Sequence, residues 1–104
     1  MSSGAPPEVR EVEVVLTNRH GLHLRPATRF AREAMRFKSE IMVSLDGQEV
    51  NGKSILMLTS LAAERGAHLR IRAEGEDAAP CLAALEALVR DRFEEDATAP
   101  AGPG

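Results

Sequence analysis

The sequence predicts an α/β (α+β) fold in the order βαββαβα, an open-faced sandwich. Its four-stranded antiparallel sheet is covered on one side by three helices. Three observations carry that expectation. Residues 9–17, 39–45 and 67–75 alternate apolar and polar side chains, the period of a strand with one buried face. Residues 24–37 and the stretch after Asp77 space their apolar side chains as a helix does. The pair Asp46-Gly47 is a strong hairpin signal between 39–45 and a short return strand.

Taken in order, VREVEVVLT (9–17) turns Val12, Val14 and Leu16 to one face and Glu11 and Glu13 to the other. Asn18 to Leu22 is a loop around Gly21. From Leu24 to Phe37, Ala27, Phe30, Ala31, Ala34 and Met35 form one apolar helical face. Pro26 fits the first turn, where its missing N–H had no intrahelical partner. SEIMVSL (39–45) is the second strand, and Gln48 to Asn51 returns beside it. Ser54 is a favoured N-cap for a helix from Ile55 to Ala63, which Gly66 closes off. AHLRIRAEG (67–75) is the last strand. Asp77 then caps a final helix with Pro80 in its first turn and a core stripe of Cys81, Leu82, Leu85, Leu88 and Val89. The expected domain is 9–94, between Ala/Pro/Gly-rich flexible tails at 1–8 and 95–104.

A chain of 104 residues, 43% hydrophobic and 28% charged, suits one domain with one modest core. Three Phe with neither Trp nor Tyr leave little for base stacking, and the net charge of −3 also disfavours a nucleic-acid partner. A single Cys81 makes no internal disulfide, and no apolar run reaches the length of a membrane span or a signal-peptide core. These features predict a cytoplasmic protein without membrane insertion. Charge is segregated: basic residues dominate from Arg19 to Lys38, acidic ones from Glu74 to Asp96. Such a molecule orients itself toward a charged partner.

The stretch RHGLHLRPATRF (19–30) carries the chemistry. His23 falls at the loop-to-helix junction, where free amides and the helix dipole make an anion site. Arg25 adds a guanidinium fork suited to phosphate oxygens. Pro26 holds the turn, and Gly21 lets the loop approach closely. A neutral imidazole so placed can attack phosphorus and have its phosphoryl oxygens held by the amides. Little more is needed, because phosphoryl transfer depends on positioning and charge stabilisation.

The motifs GLHLRPA (21–27), NGKSILMLTSL (51–61) and AEGED (73–77) closely resemble the HPr family of histidine-containing phosphocarriers in the bacterial phosphoenolpyruvate-dependent phosphotransferase system. The match runs from about Val9 to Phe93. The resemblance implies that His23 is phosphorylated through Nδ1, the ring nitrogen nearer the backbone, and that Arg25 contacts the phosphoryl group. It implies enzyme I as donor, EIIA-type proteins as acceptors, and a carrier in sugar transport more than an independent catalyst. Ser54 aligns with the serine that a dedicated HPr kinase/phosphorylase modifies in many relatives. Leu24 stands where relatives often carry Thr or Ala, and His20 where a small polar or an apolar residue is common.

Each feature has a plainer reading. Ser54 can be a cap alone, a phosphorylation site, or both. His20 could join His23 on a metal, but no third ligand or Cys pair supports one, and no cofactor is expected. His68 lies on the polar phase of its strand. Arg25, Arg29, Arg32 and Arg36 form one stripe opposite the apolar face of their helix, a docking surface for an acidic partner with Arg25 and Arg29 nearest the site. Leu56 shares the polar side of its helix with Thr59, so Ile55, Leu56 and Thr59 are expected to meet partners. A monomer is the simpler expectation for a carrier that presents one face to successive proteins. The alternative is a regulatory phosphoprotein or binding module that acts mainly through Ser54.

Overall fold

The computed structural model describes residues 8–94. Seven elements follow one another: β1 (Val9–Val15), α1 (Leu24–Ala34), β2 (Glu40–Leu45), β3 (Gln48–Asn51), α2 (Ile55–Ser60), β4 (His68–Glu74) and α3 (Ala78–Arg90). A short 3-10 turn, Arg92–Glu94, follows α3. The sheet runs β1-β4-β2-β3 with every neighbouring pair antiparallel. Order, strand count and helix count are those the periodicity predicts. The expected tails lie outside the described residues except for Glu8, whose carbonyl accepts the Gly75 N–H at 2.8 Å.

Register follows from burying one face of each strand. A single row crosses the sheet through Val12, Ile71, Val43 and Val50. Beside it Val14 pairs with Leu69, and Ile41 with Ala73. These side chains meet Ala27, Phe30, Ala31 and Ala34 of α1, Leu58 of α2, and Cys81, Leu82, Leu85, Leu88 and Val89 of α3 in one core. The β2–β3 hairpin closes through Asp46 and Gly47 at φ 51° and 86°, the pair of left-handed residues that matches strand twist.

Several element boundaries and side chains depart from expectation. β1 ends at Val15, although Leu16 still donates to the Ala67 carbonyl (3.0 Å) and accepts from Gly66 (2.8 Å). α1 stops at Ala34, and Met35 is 54% exposed where a core position was expected. Met35 falls on the same flank of the helix as Leu24, at the edge of the apolar arc, and Leu24 is exposed too. α2 stops at Ser60, because Ala62 adopts φ 52° and turns the chain away. Asp77 occupies the N-cap position of α3 but makes no side-chain cap bond. Its carboxylate instead accepts from the Lys38 amide (2.8 Å), the Ser39 amide (2.9 Å) and the Ser39 hydroxyl, tying α3 to the entry of β2. Phe93, at φ 57° in the final turn, folds back into the core, which no local pattern announces.

The arginine stripe contains a buried acid. Glu33 is nearly enclosed and accepts from Arg36 at 2.9 Å and from Arg29 at 3.4 Å. Arg29 and Glu33 line a shallow groove shared with Ala84 and Leu88 of α3 and with Asp91 just past its end. The groove sets Arg29 toward α3, on the other flank of α1 from Leu24, whereas the sequence reading placed it nearest the site.

Candidate phosphoryl-acceptor site

His23 is the N-cap of α1. Its backbone is extended (φ −82°, ψ −169°), and its carbonyl accepts the Ala27 N–H at 2.9 Å. Its side chain makes no cap hydrogen bond. The amides of Leu24 and Arg25 belong to the first turn, where no intrahelical carbonyl can reach them, and Pro26 has none to offer. The imidazole is half-buried, while Arg25 beside it is exposed and has no ion-pair partner among the described residues. Farther along, the Thr28 hydroxyl donates to the Leu24 carbonyl at 2.8 Å.

The loop before His23 is pinned from beneath. The Asn18 side chain, fully buried, donates to the Gly21 carbonyl at 2.6 Å. The Leu22 N–H donates to the Ala63 carbonyl at 2.9 Å, which docks the loop on the chain leaving α2. Gly21 sits at φ 67°, and a Cβ there would lie 2.3 Å from the Ala63 carbonyl oxygen. Only glycine fits that approach. The left-handed turn at Ala62 presents the Ala63 carbonyl, so the early end of α2 and the position of His23 are one arrangement.

Between this loop and the end of α2 lies an open depression of about 500 Å³, walled by His20, His23, Leu24, Thr59, Ala63 and Glu64 among others. Sequence reasoning left His20 out in the loop. In the structure its ring stands edge-on to His23, with 5.5 Å between centroids and 81° between planes. Among the described residues, no group of three or more His, Cys, Asp or Glu gathers as metal ligands.

Ser54 caps α2, its hydroxyl accepting the Met57 N–H at 3.2 Å. Lys53, next to it, donates through Nζ to the Phe37 carbonyl at 2.8 Å. Along α2, Leu56 is 77% exposed, Ile55 is half-buried against the core, and the Thr59 hydroxyl donates to the Leu56 carbonyl. Met57 is also exposed, which the sequence reading missed. Leu24 and Thr59 line the depression, and the exposed Leu56 and Met57 lie on the same short helix as Thr59. His68 lies on the open face of the sheet, 3.4 Å from Glu13. Burial, with the Asp77 carboxylate as a lesser cause, pushes the Cys81 thiol up to about 11, so it packs as a protonated side chain at neutral pH.

A family model described as the PTS HPr component phosphorylation site matches residues 10–91. The chain belongs to the HPr family. The match spans nearly the whole length of its relatives and about four fifths of this longer chain. The phosphocarrier protein HPr of Xylella fastidiosa (strain 9a5c) is 40% identical over 86 residues, 83% of this chain and 97% of its own. The crystal structure of HPr-C-His from Thermoanaerobacter tengcongensis superposes with a TM-score of 0.80 at 38% identity, covering 83% of this chain and 97% of that one. Crh, the Bacillus subtilis catabolite repression HPr, has a TM-score of 0.64 at 43% identity over 79% and 95%. The four antiparallel strands and three helices are those of HPr structures. No helix of the described residues is long and apolar enough to cross a membrane.

Proposed function

We propose that this HPr-family chain carries a phosphoryl group on His23, taken from phospho-enzyme I and passed to EIIA-type proteins. The observation that supports it most is an N-cap histidine whose side chain is not used for capping and opens into a depression beside first-turn amides. In the step, the lone pair of a His23 ring nitrogen bonds to phosphorus while the donor–phosphorus bond breaks, its electron pair leaving with the donor. The proton on the other ring nitrogen stays in place. Family likeness assigns the attack to Nδ1. The Leu24 and Arg25 amides and the Arg25 guanidinium face the negative charge that arrives. The partner supplies the second half of the site, because a depression this open cannot exclude water alone.

Leu24, Ile55, Leu56 and Thr59 form the apolar margin on which the successive partners settle, and the exposed arginines of α1 steer acidic surfaces toward it. Incubating the protein with enzyme I and phosphoenolpyruvate should add the mass of one phosphate in an acid-labile, base-stable bond. The same label on His23→Ala would sink the assignment.

A second reading, regulation through Ser54, draws support from the likeness to the catabolite repression HPr of Bacillus subtilis. A phosphate there would stand at a helix N-terminus, which tolerates negative charge, and would add charge beside the docking margin. An ATP-dependent, acid-stable label that disappears in Ser54→Ala supports this reading; its persistence in that variant removes it.

A further inference from the structure

The arginine face of α1 lies beside the point where the chain leaves the fold. Arg29 and Glu33 share an open groove of about 240 Å³ with Ala84, Ala87, Leu88 and Asp91. Just past Asp91 the short turn Arg92–Glu94 packs against α1, and its Phe93 is buried in the core. A buried side chain thus delivers the chain beside this groove. The described residues end there, and the sequence continues EDATAPAGPG (95–104).

Groove and segment match in charge and in side-chain size. Arg29, Arg32 and Arg36 outnumber Glu33 and Asp91 on this face, and Arg92 adds a further positive charge at the exit. Arg32 and Arg36 are exposed. Glu95 and Asp96 come directly after the turn, and an extended chain covers about 3.3 Å per residue, so both carboxylates reach the guanidinium groups. Ala97, Ala99 and Pro100 follow, short side chains suited to a floor of Ala84, Ala87 and Leu88. A second copy offering the same face would be repelled by it. The family model stops at residue 91, so the segment lies beyond what the family shares.

We propose that residues 95–104 dock on this groove, with Glu95 and Asp96 against the arginines of α1, as a built-in competitor of acidic partners. Exposed ion pairs are individually weak and are screened by salt. Tethering compensates, because a short linker holds the segment at an effective concentration of about millimolar. A separate acidic surface must displace it to reach Arg29 and Arg32, so the segment slows association at low salt and ceases to at high salt. The docking itself does not depend on what His23 carries; competition with a phosphoryl donor rests on the carrier reading above.

A nitroxide on Thr98→Cys in the full chain tests the contact, since the native Cys81 is buried and escapes labelling. Paramagnetic broadening is read at the Arg32, Ala84 and Leu88 amides. The tether alone brings the label near them, so the deciding comparison is with Glu95→Gln/Asp96→Asn carrying the same label. Broadening should fall about twofold or more in that variant, and likewise in the parent at about 500 mM salt. A control that loses two charges on the open sheet face, Glu11→Gln/Glu13→Gln, should keep it. Equal broadening in parent and tail variant at low salt overturns the proposal. Phosphorylation by phospho-enzyme I, measured on unlabelled chains at about 20 mM salt, should be about two- to threefold faster in the tail variant than in the sheet-face control. Equal rates in those two overturn the competition. Failure of every chain to gain an acid-labile phosphate would overturn the carrier reading and the competition with it, and the broadening would still decide the docking.

Discussion

The N-termini of α1 and α2 start from similar extended backbones, at His23 (φ −82°, ψ −169°) and at Ser54 (φ −107°, ψ 113°), and spend them differently. Ser54 turns its hydroxyl inward to accept the Met57 amide, closing its own helix end. His23 makes no side-chain cap bond to its own first turn, and its ring lines the depression. An uncapped helix end forgoes about 1 kcal/mol of stability. It retains orphan amides and a positive dipole end for an incoming anion. At α1 the missing stabilisation is offset from outside the helix, by the Asn18 and Ala63 contacts that hold the loop.

The largest effect expected from breaking this contrast lies at Gly21. Gly21→Ala would meet the Ala63 carbonyl and occupy a left-handed conformation, so it should destabilise the protein by roughly 3 kcal/mol in chemical denaturation. It should also slow phosphorylation of His23 in whatever fraction stays folded. A loss below about 0.5 kcal/mol would mean the loop yields easily and does not hold His23. Arg25→Ala tests the open end directly. Transfer to His23 should slow by about tenfold or more, while stability stays within about 0.5 kcal/mol because the side chain is exposed. Unaltered transfer kinetics would leave the amides alone as the phosphoryl clamp.

Ser54→Ala tests the closed end. It should cost about 1 kcal/mol, seen as a fall of several degrees in thermal midpoint, with the rate of phosphorylation at His23 unchanged. Asp77 sharpens the comparison from a third helix terminus, whose carboxylate caps another segment. The Ser39 hydroxyl first, then the Lys38 amide, hold its pKa below the ordinary 3.8. A carboxylate with a lowered folded pKa stabilises the native state above its unfolded value and loses that contribution as pH falls through the folded one. Asp77→Asn should therefore flatten the acid limb of the stability profile below about pH 4. An identical limb in the variant would show that the contacts to β2 carry no pH-dependent stability.

Most of the architecture was legible one element at a time. Val12, Val14 and Leu16 alternate against Glu11 and Glu13, and the same period recurs in β2 and β4, so the strands and their buried faces could be read directly. Asp46-Gly47 identified its hairpin because two consecutive left-handed residues are a local demand. His23, Arg25 and Ser54 were singled out through motifs a few residues long, and the structure places His23 and Ser54 at the heads of α1 and α2. Boundaries were harder. Met35 extended the apolar spacing of α1 but lies on a flank left more than half exposed. Ala62 has no local signal for its left-handed turn, since that conformation answers the Leu22 amide across the fold. Glu33 looked like a lone acid in a basic helix, and burial against two arginines made it their common acceptor.

By itself, then, the sequence determined what depends on near neighbours: strand and helix periods, the hairpin, the helix starts, and a histidine at the head of α1. Tertiary structure decided what depends on residues far apart in the chain. It placed Gly21 beneath Ala63, carried the Asp77 carboxylate to Ser39, and turned Arg29 toward α3. It also brought the His20 ring against His23, although only two residues separate them, because the path of that short loop is set by Ala63. Periodicity records which face of an element is buried; it does not record which element comes to lie on it.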